Sequence, residues 1–149
     1  MLWHYIFGFG FSIVVGLLIG LVTDAVRGGE SGHGWKTRIQ GSVEQVLYTS
    51  SVLIGQPLFV AVWLGVKTAG QWQTWTGFRD QPAFFDKYLS PYLIGNALSV
   101  IVAVTGAKII DWSATGHIFA WLAPAAVGFG ILSLYLWADY MSKKDKKVS

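Results

Sequence analysis

The fold is decided by residues 5–23, which read YIFGFGFSIVVGLLIGLVT. This stretch carries no charged side chain, and the first charge after it is Asp24. A helix of about 20 apolar residues crosses the hydrocarbon core of a bilayer, so the stretch is long enough to cross once. Because the run is longer than the core of a signal peptide and no Lys or Arg precedes it, we expect a retained membrane helix.

The composition of the whole chain also indicates an integral membrane protein. Its 149 residues are 53% hydrophobic and 13% charged, whereas soluble domains contain about 25% charged residues. A soluble domain of this size could not bury so much apolar surface. Cysteine is absent, which excludes a disulfide-stapled secreted domain, a cysteine zinc site and thiol chemistry.

Three further apolar stretches predict an all-α bundle of four transmembrane helices in a single domain. They cover residues 46–66, 92–110 and 117–138, and their connections are too short for a second folded domain. Between the second and third crossings, Trp72 and Trp75 lie three residues apart among polar residues. This spacing predicts a short amphipathic helix lying in the membrane interface.

The distribution of Lys and Arg predicts how the chain is oriented in a plasma or inner membrane. If both termini are cytoplasmic, seven of these residues lie inside and four outside, and cytoplasmic loops normally carry the excess. We therefore expect both termini in the cytoplasm. The basic tail, residues 139–149, provides most of the margin and would attract anionic lipid. No folded basic domain accompanies the tail, so nucleic-acid binding is not expected.

The residues do not indicate a catalytic, cofactor or metal site. Residues 29–37, GESGHGWKT, come close to a phosphate-binding loop, but Trp35 separates the last glycine from the lysine. The three histidines lie far apart and lack the spacing of metal ligands. No nucleophile and base are brought together by the expected topology. The sequence therefore predicts a non-enzymatic protein without a cofactor.

Polar residues within the predicted crossings are candidates for helix packing or for a transport path. Gln56 lies at the centre of the second crossing beside Pro57, which frees a backbone carbonyl that needs a partner in hydrocarbon. Asn96 and Ser99 share one face of the third crossing. Hydrogen bonds between helices would explain these side chains, and so would a polar constriction in a pathway.

Two ionisable residues at the ends of crossings are weaker candidates. Glu44 precedes the second crossing, and Lys108 lies near the end of the third. Such groups usually reach water and pair loosely. The functional alternative makes either of them part of an ion entry ring.

Small residues predict where helices approach closely. Gly16 and Gly20 form a GxxxG pattern, which lets two backbones pack where lipid offers no hydrophobic drive. Because packing signals are abundant and chemical ones scarce, we expect a packing or assembly subunit of a homo-oligomer or of a larger membrane complex. The alternative is an oligomeric channel, pore or small-solute transporter, with polar residues of the second and third crossings lining the path.

Overall fold

The computed structural model describes residues 2–26, 35–77 and 89–148, which form five helices joined by short connections. The helices are α1 (Leu2–Val26), α2 (Trp35–Leu53), α3 (Leu58–Thr76), α4 (Ser90–Ala114) and α5 (Phe119–Val148). The side chains of residues 35–38, 73, 74, 142 and 145–148 lie outside the described part. The predicted phosphate-loop-like segment, residues 29–37, also falls almost entirely outside it.

Three of the described helices are long and apolar enough to cross a membrane. They are Leu2–Val26, Ser90–Ala114 and Phe119–Met141. Large apolar side chains, among them Ile6, Phe129 and Leu136, are exposed on the outside of the bundle. A soluble monomer rarely exposes so much contiguous apolar surface. The fold is that of a helical membrane protein, which confirms the prediction at this level.

Helix α1 packs against α2, α4 and α5 and lies at the centre of the bundle. Its closest approach is to α4, because neither Gly8 nor Gly106 has a side chain to separate the two backbones. A Cβ atom on Gly8 would lie 2.6 Å from the carbonyl oxygen of Gly106. Next to this crossing is the apolar core, which consists of Val15, Ile19, Val22, Val102 and Ile131.

Contacts along the helices define two ends of the bundle. At the first end, Phe7 of α1 packs against Trp121 of α5, with ring centroids 5.1 Å apart. At the second end, Thr23 of α1 packs against Gly95 of α4. Consecutive helices run in opposite directions, so α1 begins at the first end and α5 finishes at the second. The four predicted crossings would instead bring both termini to the same end.

The second predicted crossing, residues 46–66, is not one helix, because a tight turn divides it between α2 and α3. Gly55 has a φ of +73°, and the N–H of Gln56 donates to the carbonyl oxygen of Ser51 at 2.8 Å. This is the hydrogen bond of a Schellman cap, in which a left-handed glycine ends the helix. Pro57 follows two residues after the glycine, and it prevents α2 from continuing because proline cannot extend a helix.

The separate interfacial helix predicted around Trp72 and Trp75 is also absent from the described residues. Both tryptophans belong to the last turns of α3. Trp75 is buried, and its ring is nearly perpendicular to that of Tyr92 on α4, with centroids 4.9 Å apart. Trp72 is 56% exposed. The remainder of the predicted interfacial segment, residues 78–88, lies outside the described part of the chain.

We expect Gly8→Ala to destabilise the bundle by about 1–3 kcal/mol, because the added methyl group overpacks the crossing of α1 and α4. Gly10→Ala is the matched control on the same helix, since no atom lies within 4 Å of its added Cβ. The control should be neutral or slightly stabilising, because alanine favours helix more than glycine does. Unfolding in mixed micelles measures the stability of both variants. Equal stability of the two would contradict the close crossing of α1 and α4.

Candidate functional site

A polar cavity of about 200 Å³ lies between α1, α2, α3 and α4, toward the second end of the bundle. Its lining includes one carboxylate and one ammonium group deep in the wall, from Glu44 and Lys67. Asp24 lines it nearer the end of α1. Other polar side chains in the lining are Thr23, Gln40, Gln71, Tyr92, Asn96 and Ser99.

Glu44 and Lys67 form a short ion pair in this cavity. The Lys67 Nζ lies 2.6 Å from the Glu44 Oε2, and the two side chains are 25% and 6% exposed. Gln40 donates to the other carboxylate oxygen at 3.2 Å. Lys67 also donates to the Asn96 Oδ1 at 3.4 Å. A buried charge is tolerated only when it is paired and hydrogen-bonded, and both oxygens of Glu44 meet that condition.

Glycines make room for this polar cluster. Gly20, Gly41 and Gly95 line the cavity without side chains that would fill it. Gly16 lines it as well, and a Cβ there would lie 2.6 Å from the Gln45 Cγ of α2. The predicted GxxxG pattern therefore packs against α2 of the same chain at Gly16, and at Gly20 it borders the cavity.

Polar side chains continue from the cavity along the inward face of α2. We call Glu44, Gln45, Tyr48 and Thr49 the polar seam; all four are buried. Thr49 donates to the Ser12 hydroxyl of α1 at 2.9 Å. Within the described residues, the Gln45 Oε1 and the Tyr48 hydroxyl have no hydrogen-bond partner. Buried polar groups usually have one, so the seam retains unused hydrogen-bonding capacity.

The seam is closed toward the first end and at its side by packed residues. Tyr48 packs with Val60 and Ala103 in a small apolar cluster of α2, α3 and α4. Nearer the second end, the hydroxyl groups of Thr68 and Tyr92 share a hydrogen bond of 2.7 Å between α3 and α4. The polar region is therefore widest near the second end. Toward the first end it finishes at the hydrogen-bonded pair of Thr49 and Ser12 and at the apolar contacts of Tyr48.

Five of the eight sequence-predicted candidates line this cavity together. Asn96 and Ser99 of α4 face Glu44 of α2 across it, and Gly16 and Gly20 of α1 complete the wall. Sequence reasoning placed Asn96 and Ser99 inside the bundle but assigned Glu44 to a helix end. The structure brings these residues to one place because α2 begins at Trp35 and carries Glu44 halfway along its length.

The other three candidates lie elsewhere. Gln56 and Pro57 are exposed in the turn between α2 and α3 at the first end. Gln56 is therefore not at the centre of a crossing, where both the packing and the pathway interpretations place it. Lys108 is also exposed, and its Nζ lies 3.5 Å from the Asp111 Oδ2 on the same helix.

Sequence reasoning missed Lys67 as a site residue because it was placed just after the second crossing. The signal that could have found it is the Gly55–Pro57 turn. Once a helix ends there, Lys67 falls inside the following helix, ten residues beyond Pro57. A long charged side chain inside a membrane bundle needs a partner. When α3 pairs with α2, Glu44 is the partner nearest to Lys67.

The chemistry available in the cavity is that of binding a small polar species or exchanging a proton. Among the described residues, no group of three or more His, Asp and Glu side chains is placed to hold a metal ion. No protein-family model, curated protein or solved structure matches this chain.

Replacing Lys67 by Met should destabilise the protein by about 3–5 kcal/mol, because it leaves the Glu44 carboxylate buried without its counter-charge. The matched control is Lys108→Met, which removes an exposed pair that contributes at most about 1 kcal/mol. Denaturant unfolding in micelles compares the two. The double variant Glu44→Gln, Lys67→Met should recover most of the loss; a double variant as unstable as Lys67→Met would show that charge pairing is not the cause.

Proposed function

We propose that the protein is a non-enzymatic membrane transport protein whose polar cavity binds a small polar solute or ion during its passage. The observation that carries this proposal is the Glu44–Lys67 pair, with a 6% exposed carboxylate inside a bundle of apolar helices. Ionisable residues at membrane depth are costly and usually mark a substrate, ion or proton pathway. The buried Gln45 and Tyr48 support the same interpretation, because they continue the polar face of α2 from the cavity and keep hydrogen-bonding atoms without a partner among the described residues.

The asymmetry of the polar region fits transport by alternating access. A transporter holds its site accessible to one side of the membrane while packed residues close the other side. Here the polar cavity lies near the second end, and the contact of Tyr48 with Val60 and Ala103 closes the seam toward the first. Helix α3 packs less closely on its neighbours than the other helices do, and we propose it as the element that moves.

We further propose five crossings, with the N terminus outside and the C terminus in the cytoplasm. Helices α2 and α3 each contain 19 residues and would each span about 28 Å, close to the thickness of the hydrocarbon core. This arrangement replaces the predicted cytoplasmic position of both termini. The basic residues support it, because cytoplasmic segments carry the excess of positive charge.

Nine of the eleven Lys and Arg residues are then cytoplasmic, against seven in the four-crossing arrangement. They lie in or beside the connections at the second end: Arg27, Lys36, Arg38, Arg79, Lys87, Lys143, Lys144, Lys146 and Lys147. Only Lys108 lies near the first end, and Lys67 is in the cavity. The proposed arrangement therefore gives a much larger charge difference than the one expected from hydropathy.

The basic tail is proposed to contact anionic lipid on the cytoplasmic face. Lys143 and Lys144 are exposed at the end of α5. The hydrogen bond and charge of Asp139, 2.7 Å away, raise the pKa of Lys143 above its usual value. Lysines beside a membrane helix attract anionic headgroups by roughly 1 kcal/mol each.

A role as an assembly subunit is the second candidate, and one surface favours it. Ala61, Gly65 and Ala69 lie four residues apart on an exposed face of α3. No atom lies within 4 Å of the position that a Gly65 Cβ would occupy. Faces of small residues let membrane helices pack closely, so this face could receive a second copy of the chain or another membrane subunit.

Transport is tested in liposomes loaded with Na⁺, K⁺, ammonium, phosphate or a neutral amino acid, with flux measured for each. We expect flux of at least one of these and a loss of about tenfold or more in the double variant Glu44→Gln, Lys67→Met, because charge-assisted hydrogen bonds contribute roughly 1.5–3 kcal/mol. The double variant is used because it should keep the fold. Lys108→Met and Gln56→Leu are controls outside the cavity and should leave the flux unchanged.

Flux that is the same in the double variant and the wild type would refute a role for the cavity in transport. The absence of flux for every solute, together with a native mass of several chains, would instead favour the assembly role.

The proposed orientation can be tested with single cysteines, because the chain has none of its own. We expect a membrane-impermeant maleimide to label Gln56→Cys in intact cells and to label Lys144→Cys only after permeabilisation. Thr115→Cys serves as the external control, since it lies outside in both the four- and five-crossing arrangements. Protection of Gln56→Cys in intact cells, with Thr115→Cys labelled, would contradict the five crossings.

A further inference from the structure

A second, larger cavity of about 740 Å³ lies at the first end of the bundle, opposite the polar cavity. Helix α1, the turn after α4 and the start of α5 form its walls. We call it the interfacial cavity. Its walls are largely apolar, and Trp3, Phe7, Phe11 and Trp121 form an aromatic part of the lining. Its volume falls in the range of about 300–1,000 Å³ that is typical of ligand pockets.

The few polar side chains of the interfacial cavity come from two places in the chain. His4 lies in the first turn of α1, and Ser113 and His117 lie at the turn between α4 and α5. All three are close to the first end, whereas Val14 and Val15 line the cavity farther along α1. The cavity therefore has a polar mouth and an apolar interior, which is the pattern expected for an amphiphilic ligand.

Exposed tryptophans favour a position of this mouth at the surface of the membrane. Trp3 and Trp121 are 78% and 65% exposed although both line the cavity. Indole rings prefer the headgroup level, because they combine an apolar body with one N–H group. A cavity at this level on lipid-facing helices is open to the bilayer, so its occupant is drawn from the lipid.

We propose that the interfacial cavity binds one phospholipid, with an acyl chain along the aromatic wall and the phosphate beside His4 and His117. An imidazole N–H can donate a hydrogen bond to a phosphate oxygen. The apolar interior suits the acyl chain and not the headgroup. The site is independent of the proposed transport role, because none of its lining residues belongs to the polar cavity.

Gly10 makes a direct test possible. It lines the interfacial cavity, and no atom lies within 4 Å of the position that its Cβ would occupy. Gly10→Phe should therefore place a ring in the cavity without displacing the rest of the bundle. Gly128→Phe on α5 is the matched control, because Gly128 also has open space around it but does not line the cavity.

The experiment is native mass spectrometry of the detergent-extracted full chain, titrated with palmitoyl-oleoyl phosphatidylglycerol. We expect the wild type and Gly128→Phe to bind one molecule with similar affinity, and Gly10→Phe to bind it at least about tenfold more weakly, a change readily resolved in Kd. Equal affinity of Gly10→Phe and the wild type would overturn the proposal, and so would an equal loss in both glycine variants. Thermal unfolding checks that both remain folded.

The headgroup contact is tested by the double variant His4→Ala, His117→Ala, with palmitoyl-oleoyl glycerol as a probe that lacks the phosphate. The variant should weaken binding of phosphatidylglycerol severalfold and leave binding of the phosphate-free probe unchanged. If the variant binds phosphatidylglycerol as the wild type does, the placement of the phosphate is wrong. These measurements do not depend on flux, so the two proposals can fail separately.

Discussion

The architecture depends on keeping the carboxylate of Glu44 paired inside an apolar bundle. The pair with Lys67 at 2.6 Å requires α3 to return along α2 immediately after the turn at Gly55. The rest of the polar seam imposes the same requirement, because Gln45, Tyr48 and Thr49 are buried on the same helix. Unsatisfied polar groups are costly in hydrocarbon, so the inward face of α2 has to be covered by α1, α3 and α4.

The close crossing of α1 and α4 makes this cover possible. Where Gly8 meets Gly106, the two backbones approach closely, and the apolar core beside them excludes water. Toward the second end, the small residues Gly20 and Gly95 leave space between the helices, and the polar cavity forms there. Glycine therefore has two opposite effects along one helix pair. At one position it allows tight packing, and at another it leaves room that polar side chains from α2 and α3 occupy.

The membrane class and much of the helix content could be predicted from sequence, because both depend on summed side-chain hydropathy. The stretches 5–23, 92–110 and 117–138 lie within or largely overlap α1, α4 and α5. The prediction of a single helix over residues 46–66 failed, because a hydropathy profile contains no information on backbone conformation. A left-handed glycine followed by Gln56 and Pro57 ends α2, although Val52, Leu53, Ile54 and Leu58 on either side of the turn are apolar.

The candidate site was predictable only in part, for a related reason. Asn96 and Ser99 were found because polar residues inside a clear apolar stretch attract notice. Glu44 and Lys67 were assigned to the ends of a crossing, because a charge normally marks a boundary in a hydropathy profile. Each is acceptable inside the bundle only because the other is present, and this dependence between two helices cannot be read from either segment alone.

The turn at Gly55 also links the number of crossings to the electrostatics of the cavity. The division of residues 46–66 between α2 and α3 adds one crossing between α1 and α4. With the C terminus kept in the cytoplasm, the segments before the added crossing lie on the opposite side of the membrane from the one predicted. Arg27, Lys36 and Arg38 therefore join the basic tail at the second end. On the proposed orientation, the polar cavity is therefore nearest to the basic cytoplasmic face. A surface of one charge sign raises the local concentration of oppositely charged solutes. Inside the cavity, Lys67 offsets the charge of Glu44, and Asp24 adds a second carboxylate to the lining. The proposed transport function therefore favours a zwitterionic solute, which both the basic face and the two carboxylates of the cavity attract, over a simple anion or cation.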